Sequence, residues 1–348
     1  MMKIRRTPDR SAGLMKIGID AMGGDNAPSS VIEGVAMYLD KNSQDSVVLF
    51  GNKNVIEKVC VEKIKDLSRV EIVDCREKIE FDDEPVRAIR QKKDSSIVVG
   101  LKYLKEKQID AFVSAGSTGA LMAGGLLIVG RIQGIDRPAL TTKLPYKDGQ
   151  YLLIDVGSNT DCRPINILQF AQMATVYVSK IIGKNNPAVG LLNIGTEENK
   201  GNELSKQSYE ILKNAKNINF VGNVEARVLP FSPPDIVVCD GFVGNIVLKL
   251  TEGFGLLFFD LLKDIAKSSF KAKIGALLLK PYFKKLKGRY DYKEVGGAPL
   301  LGIDGIIIKC HGSSDGQAIF NGINQAKAFY ENNVLELLKE EITAESEV

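Results

Sequence analysis

Short apolar runs recur along the chain at 17–20, 47–50, 70–73, 111–114, 151–156, 188–193, 218–221 and 236–239. They are rich in β-branched residues and mostly continuous rather than alternating, the pattern of strands covered on both faces. Between them lie segments with apolar residues at helical spacing: 29–41, 54–65, 97–107, 168–182 and 203–215. Strands alternating with helices predict an α/β fold, three α/β/α layers around a mostly parallel sheet. No solenoid-type repeat or low-complexity linker breaks the alternation, so a single domain of two interlocked halves, 15–335, fits better than separate modules. Residues 1–14 are polar and basic and read as a flexible N-terminal extension; 336–348 read as an acidic tail.

Ligands of such sheets bind beyond the carboxyl ends of the strands. Here those ends read 20–26 (DAMGGDN), 114–119 (SAGSTG), 155–161 (DVGSNTD), 193–197 (NIGTE) and 240–245 (DGFVGN). One glycine-rich loop can be only a tight turn, but the recurrence after strand upon strand predicts one large polar crevice. Loops rich in backbone N–H groups that open onto helix N-termini favour anions, and the small residues of 114–119 let the backbone close around an oxyanion. Neither GxxxxGK[ST] nor a GxGxxG after a strand is present. Bare phosphate or a phosphorylated small molecule is therefore expected before a nucleotide.

Three further stretches carry chemistry. In 82–96 (DDEPVRAIRQKKDSS), Arg87 and Arg90 share a helix face, Lys93 extends it, and Ser95 and Ser96 follow; the stretch reads as a phosphate clamp or as a solvated basic face. The sole histidine, His311, lies beside Ser313, Ser314 and Asp315. A Ser-His-Asp triad is assembled by the fold rather than by adjacency, so positioning and anion binding are read here, with Ser314 or Asp315 as a helix cap. Over 251–266, Phe254, Leu257, Phe258, Leu261, Leu262 and Ile265 recur at helical spacing, and this stretch reads as dimer core. Residues 270–289 then carry Lys271, Lys273, Lys280, Lys284, Lys285, Lys287 and Arg289 among apolar residues, without one acidic residue. They suit an anionic membrane surface or an acidic partner, the other reading being a hairpin packed in the dimer with solvated lysines.

Composition adds exclusions. The 348 residues are 44% hydrophobic and 26% charged, and 46 Lys+Arg against 43 Asp+Glu leaves a net charge of +3. That balance gives no support to nucleic-acid binding over the whole surface. The five cysteines, Cys60, Cys75, Cys162, Cys239 and Cys310, are scattered and form no CxxC, as in a reducing compartment. With one histidine, a His-based zinc site is not expected. The longest apolar stretch is read as 120–130, short of a membrane span, and no export signal follows the basic start. A soluble, cytoplasmic protein is expected.

Together the motifs IDAMGGDNAP (19–28), P-x-x-A-x-R-x-K-x-x-S-S (85–96), SAGSTGALMA (114–123), IDVGSNTDC (154–162), GLLNIGTEENKGNEL (190–204), VGNVEAR (221–227), DIVVCDGFVGNIVLK (235–249), GGAPLLGIDG (296–305) and HGSSD (311–315) resemble the bacterial phosphate acyltransferases of phospholipid synthesis, PlsX. The resemblance runs from Lys16 to about Tyr330, with departures at Ala226, Val228 and Ile165-Asn166, where the family has Gly, Asp and Glu-His. It implies a homodimer with a fold like phosphotransacetylase and the isocitrate and isopropylmalate dehydrogenases, bearing a helical hairpin at about 246–295. It implies no cofactor and no metal. The implied reaction converts acyl–acyl-carrier-protein and inorganic phosphate to acyl phosphate, passed to the membrane glycerol-3-phosphate acyltransferase PlsY, with peripheral association at the inner face of the cytoplasmic membrane.

On that basis phosphate is expected at Arg87, Arg90, Lys93, Ser95, Ser96, Ser114, Gly116, Ser117 and Thr118. His311, Ser313, Asn159, Asp161 and Asn245 are expected around the reacting thioester. Asp20, Asp25, Asn193, Glu225, Arg227 and Asp240 are expected to meet the acyl or pantetheine part, and Lys280, Lys284, Lys285 and Lys287 the membrane or a partner. Competing readings remain. Residues 17–20 and 154–160 also resemble the phosphate loops of actin-like kinases, which need nucleotide and Mg²⁺; a dehydrogenase of this fold would want NAD(P) and a divalent metal. A lipid-surface scaffold with a degenerate crevice would need no chemistry at all.

Overall fold

The computed structural model describes residues 14–42, 44–290 and 296–346. Except for Leu14, the expected N-terminal extension lies outside them. The strands are β1 (Lys16–Asp20), β2 (Ser46–Gly51), β3 (Val70–Asp74), β4 (Ala111–Ser114), β5 (Ala139–Tyr146), β6 (Gly149–Ile154), β7 (Ala188–Asn193), β8 (Asn219–Glu225), β9 (Ile236–Val238), β10 (Ala298–Leu301) and β11 (Ile306–Lys309). The helices are α1 (Ser29–Lys41), α2 (Lys53–Lys63), α3 (Pro85–Gln91), α4 (Ser96–Lys105), α5 (Thr118–Gly124), α6 (Pro164–Tyr177), α7 (Glu203–Asn214), α8 (Gly241–Lys267), α9 (Phe270–Tyr290), α10 (Gly316–Glu331) and α11 (Val334–Ser346).

The chain divides into two compact units, Met1–Gly130 with Asp304–Leu337, and Arg131–Ile303 with Leu338–Val348. In unit 1 the strand order is β3-β2-β1-β4-β11, parallel throughout. Residues of β4 and β11 are buried without alternation, as expected where helices cover both faces. In unit 2 the order is β10-β5-β6-β9-β7-β8, with β5 antiparallel to both neighbours and the rest parallel. The fold is thus the mixed α/β fold the alternation predicted.

Much of the polar character at the strand ends is spent on starting helices. Ser95, Ser117, Asn202, Asp240 and Asp315 each cap the following helix through a side-chain oxygen that accepts a backbone N–H, satisfying donors the helix cannot reach. Asp315, rather than Ser314, caps α10. The expected acidic tail is not a tail: 334–346 fold as α11. Val334, Leu338 and Ile342 recur every fourth residue and are buried, and Asn217 donates to Glu341 at 2.9 Å; the acidic residues between them had hidden this stripe.

The run at 120–130 is not the most membrane-like segment: by length and composition α8 is long and apolar enough to cross a membrane. Its first turns belong to unit 2. Gly244 lies so close to the Asp155 carbonyl that a β-carbon there would overlap it, and Val247 and Leu248 pack on the cluster of Leu140, Leu153, Leu192 and Val237. Beyond them Phe254, Leu257, Phe258, Leu261 and Ile265 are exposed.

Candidate functional site

In unit 1 the ends of β1 and β4 and the start of α4 are tied together through one carboxylate. Asp20 is 1% exposed. It accepts from Ser114 Oγ at 2.6 Å and from Met22 N–H at 3.2 Å, and Ser96 also bonds to it. Burial raises its pKa above the ordinary carboxylate range, against the opposing pull of those hydrogen bonds. Ser114 Oγ in turn accepts from Gly116 N–H at 3.0 Å, which shapes the turn between β4 and α5. The β1 loop reaches the histidine loop as well: Asp25 N–H donates to the Gly312 carbonyl at 2.8 Å. Gly24 has φ +99°, and a β-carbon on it would stand 2.9 Å from that carbonyl, so glycine is required twice over.

Helix α3 packs against α5, the helix that follows the Ser114 turn. Pro85 packs on Gly119 in the first turn of α5, and Glu84 caps α3 by accepting from Val86 and Arg87 N–H at 3.1 and 2.7 Å. Arg87 and Arg90 are exposed, and among the described residues neither forms an ion pair; Arg87 Nε bonds Gln91 at 3.1 Å. The helix stops at Gln91, so Lys93 does not extend the Arg87–Arg90 row as spacing alone suggested. Lys92, absent from the expected clamp, is the half-buried cation: Nζ contacts Asp83 at 2.5 Å and the Lys78 carbonyl at 2.9 Å. The motif's own lysine position, 92, was the signal.

Ser95 and Ser96 are buried and their hydroxyls are engaged inside the fold. Ser95 Oγ donates to the Lys92 carbonyl at 2.8 Å, and Ser96 bonds Asp20. Of the residues expected to hold phosphate, Arg87, Arg90, Lys93 and Thr118 are the exposed ones.

His311 is exposed. Ser313 N–H donates to its Nδ1 at 3.2 Å, with Ser313 Oγ at 2.8 Å from the same nitrogen. A nitrogen that accepts an amide proton carries none itself, so Nε2 holds the ring proton. The neighbouring Cys310 offers no thiolate, because burial pushes its thiol up to about 12. Among the described residues no group of three or more His, Cys, Asp or Glu is arranged for a metal.

Unit 2 is organised around a second buried carboxylate. Asp155 accepts from the N–H groups of Leu140, Gly157, Ser158 and Asn159 at 3.1, 3.3, 3.1 and 2.8 Å, and from Asn159 Nδ2 at 2.9 Å. Burial again raises its pKa, opposed by these bonds. Asn159 also donates to the Pro138 carbonyl at 2.7 Å, and its own carbonyl accepts from Gly241 N–H, fixing the start of α8. Asn193 is likewise buried, bonding the Lys200 carbonyl and Ile194 N–H, and Asp240 caps α8. These side chains therefore shape loops. Asp161 and Asn245 are exposed, Asn245 beside Gly157, and Arg227 pairs with half-buried Glu225 at 2.8 Å. On α9, Lys280 is exposed; the side chains of Lys284, Lys285 and Lys287 lie outside the described residues.

The family profile described as "Fatty acid synthesis protein" matches residues 15–337. A protein of Caldicellulosiruptor saccharolyticus named phosphate acyltransferase is 91% identical over 334 residues, 96% of this chain and 100% of that protein. One of the same name from Clostridium tetani is 49% identical, covering 94% and 98%. This chain belongs to the phosphate acyltransferase family. It is an acyltransferase of lipid synthesis. A phosphotransacetylase structure from Streptococcus pyogenes matches 91% of this chain and 94% of its own with TM-score 0.62 at 17% identity. EutD phosphotransacetylase from Staphylococcus aureus matches 90% and 94% with TM-score 0.57 at 15% identity. At such identities the likeness shows the fold, and it is the phosphotransacetylase-like fold the motifs implied.

Proposed function

We propose that the chain moves the acyl group of an acyl-carrier-protein thioester onto inorganic phosphate, making acyl phosphate in the cytoplasm for phosphatidic acid synthesis. The observation that carries this reading is the Ser114–Thr118 turn, held by Asp20. It opens α5, where Ser117 caps the Ala120 N–H and the Thr118 and Gly119 amides begin the helix, and α3, which carries exposed Arg87 and Arg90, packs on Gly119. A phosphate oxygen attacks the thioester carbonyl carbon; the C–O bond forms as the carbonyl pair moves to oxygen. The C–S bond then breaks as the carbonyl returns, and the departing thiolate takes up the proton that the attacking hydrogen phosphate gives up.

Phosphate is already anionic near neutral pH, and a thiol of pKa about 8.5 leaves readily. The chemistry needs alignment and oxyanion donors more than a strong base. His311 Nε2–H supplies such a donor for the carbonyl oxygen or the leaving sulfur. Asp25, in the same unit, is the exposed group assigned to the acyl donor. The test is free thiol from full-length protein, acyl carrier thioester and phosphate, without nucleotide or added metal. Release only with ATP, or none, would reject the reading in favour of a kinase or a scaffold.

The same proposal extends to assembly. The exposed apolar row Phe254, Leu257, Phe258, Leu261 and Ile265 supports a homodimer through α8. On α9, Leu277, Leu278 and Tyr282 are exposed among lysines, which supports peripheral attachment to an anionic membrane and delivery to PlsY. A Leu277→Glu, Leu278→Glu double variant should lose at least about tenfold in binding to vesicles rich in anionic lipid, with thiol release in solution retained. Full vesicle binding by that variant would remove the membrane assignment.

A further inference from the structure

Phe81 is 52% exposed, yet the segment that carries it is tied down at several points. Arg76 N–H donates to Asp94 at 3.2 Å, Glu77 pairs with Ser95, Ile79 is buried, and Lys92 spans Asp83 and the Lys78 carbonyl. The backbone that carries the ring is therefore held in place while the ring faces solvent. It lies against the loop of the sole histidine: the position of a β-carbon on Gly312 is 3.2 and 3.6 Å from Phe81 Cζ and Cε1, and 3.8 Å from the Asp25 carboxylate. Gly312 directly follows His311, and its carbonyl is tied by Asp25 N–H to the β1 loop. A flat apolar surface beside this polar loop offers contact area at low conformational-entropy cost.

We propose that Phe81 is a substrate-binding residue whose ring packs on the pantetheine arm of the acyl donor and sets the thioester beside His311. This inference rests on the acyl-transfer reading above and adds where the donor is gripped. A methylene-and-amide chain gains from covering the ring, whereas inorganic phosphate gains nothing. The signature is thus a split between the two substrates. Lys92 is a positioning residue in the same scheme, since it holds the segment from which the ring projects.

The experiment measures thiol release by full-length Phe81→Ala, Phe81→Leu and Lys92→Met, varying a palmitoyl carrier thioester at saturating phosphate and then the reverse. Phe81→Ala should raise KM for the thioester about tenfold, with KM for phosphate and the thermal midpoint unchanged. Phe81→Leu should recover most of the loss, and Lys92→Met should reproduce the thioester-specific rise. An unchanged thioester KM in Phe81→Ala, with active wild-type protein, overturns this inference and leaves acyl transfer intact. A rise in both KM values with a lowered midpoint makes Phe81 structural and overturns it as well. Wild-type protein that releases no thiol overturns the acyl-transfer reading, and this inference with it.

Discussion

Asp155→Ala is expected to unfold unit 2 or leave it close to unfolding at room temperature. The carboxylate accepts from the N–H groups of Leu140, Gly157, Ser158 and Asn159 and from the Asn159 side chain. Alanine leaves these donors facing a dry gap, and each buried unpaired donor costs about 1–3 kcal/mol. The sum, on the order of 5 kcal/mol or more, is a large share of the roughly 5–15 kcal/mol that holds a domain together. Asp155→Asn keeps one acceptor and should lose less.

The pH dependence follows from the raised carboxyl pKa. The native state holds this proton more tightly than the unfolded chain, so the group's stabilising contribution is complete below the unfolded value of 3.8. It is lost as pH rises through the higher folded value. Asp155→Asn should flatten that part of the stability–pH curve. Guanidinium midpoints at a series of pH values check both expectations, and a wild-type midpoint in Asp155→Ala would show that the carboxylate is not the hub of the loop.

The strands were legible because both faces of the sheet are covered: runs such as 47–50 and 111–114 need no polar alternation and stand out. β5 did not, since Thr141, Thr142, Lys143 and Pro145 interrupt its apolar positions, and an antiparallel strand breaks the strand–helix rhythm. α11 was masked by the acidic residues between its buried apolar positions. The strand-end loops do gather the buried polar hydrogen bonds around Asp20 and Asp155, but composition cannot say whether a polar side chain faces a ligand or the backbone. Ser95, Ser96, Asn159 and Asn193 turn inward because the loops contain donors and carbonyls that nothing else can satisfy. The Lys92/Lys93 confusion has a similar origin: a spacing rule holds only while the helix lasts, and α3 ends at Gln91. Phe81 lacked any signal of its own, because its place depends on Lys92 and Gly312, which are distant in sequence.

Ser114→Ala is expected to lower kcat/KM about a hundredfold, chiefly through KM for phosphate. The hydroxyl does two jobs: it donates to Asp20 at 2.6 Å and accepts from Gly116 N–H at 3.0 Å. Without it Gly116 N–H loses its partner and the backbone of 114–118 is free to reorient, and misplacement of a binding group by about 1 Å is enough for a loss of this size. Stability should fall by only about 1–3 kcal/mol, so the protein can still be assayed. Asp20→Asn separates the parts of the argument. Its amide oxygen can still accept from Met22 N–H, while its NH₂ can donate to Ser114 Oγ, so the turn is held more loosely and the phosphate KM should rise by less than in Ser114→Ala. Because burial raises the Asp20 pKa, the folding stability this group contributes is full below 3.8 and declines as pH rises through the folded value; Asp20→Asn should lack that decline in its unfolding midpoints. If Ser114→Ala kept its phosphate KM, the anion would have to be bound elsewhere than on the turn between β4 and α5.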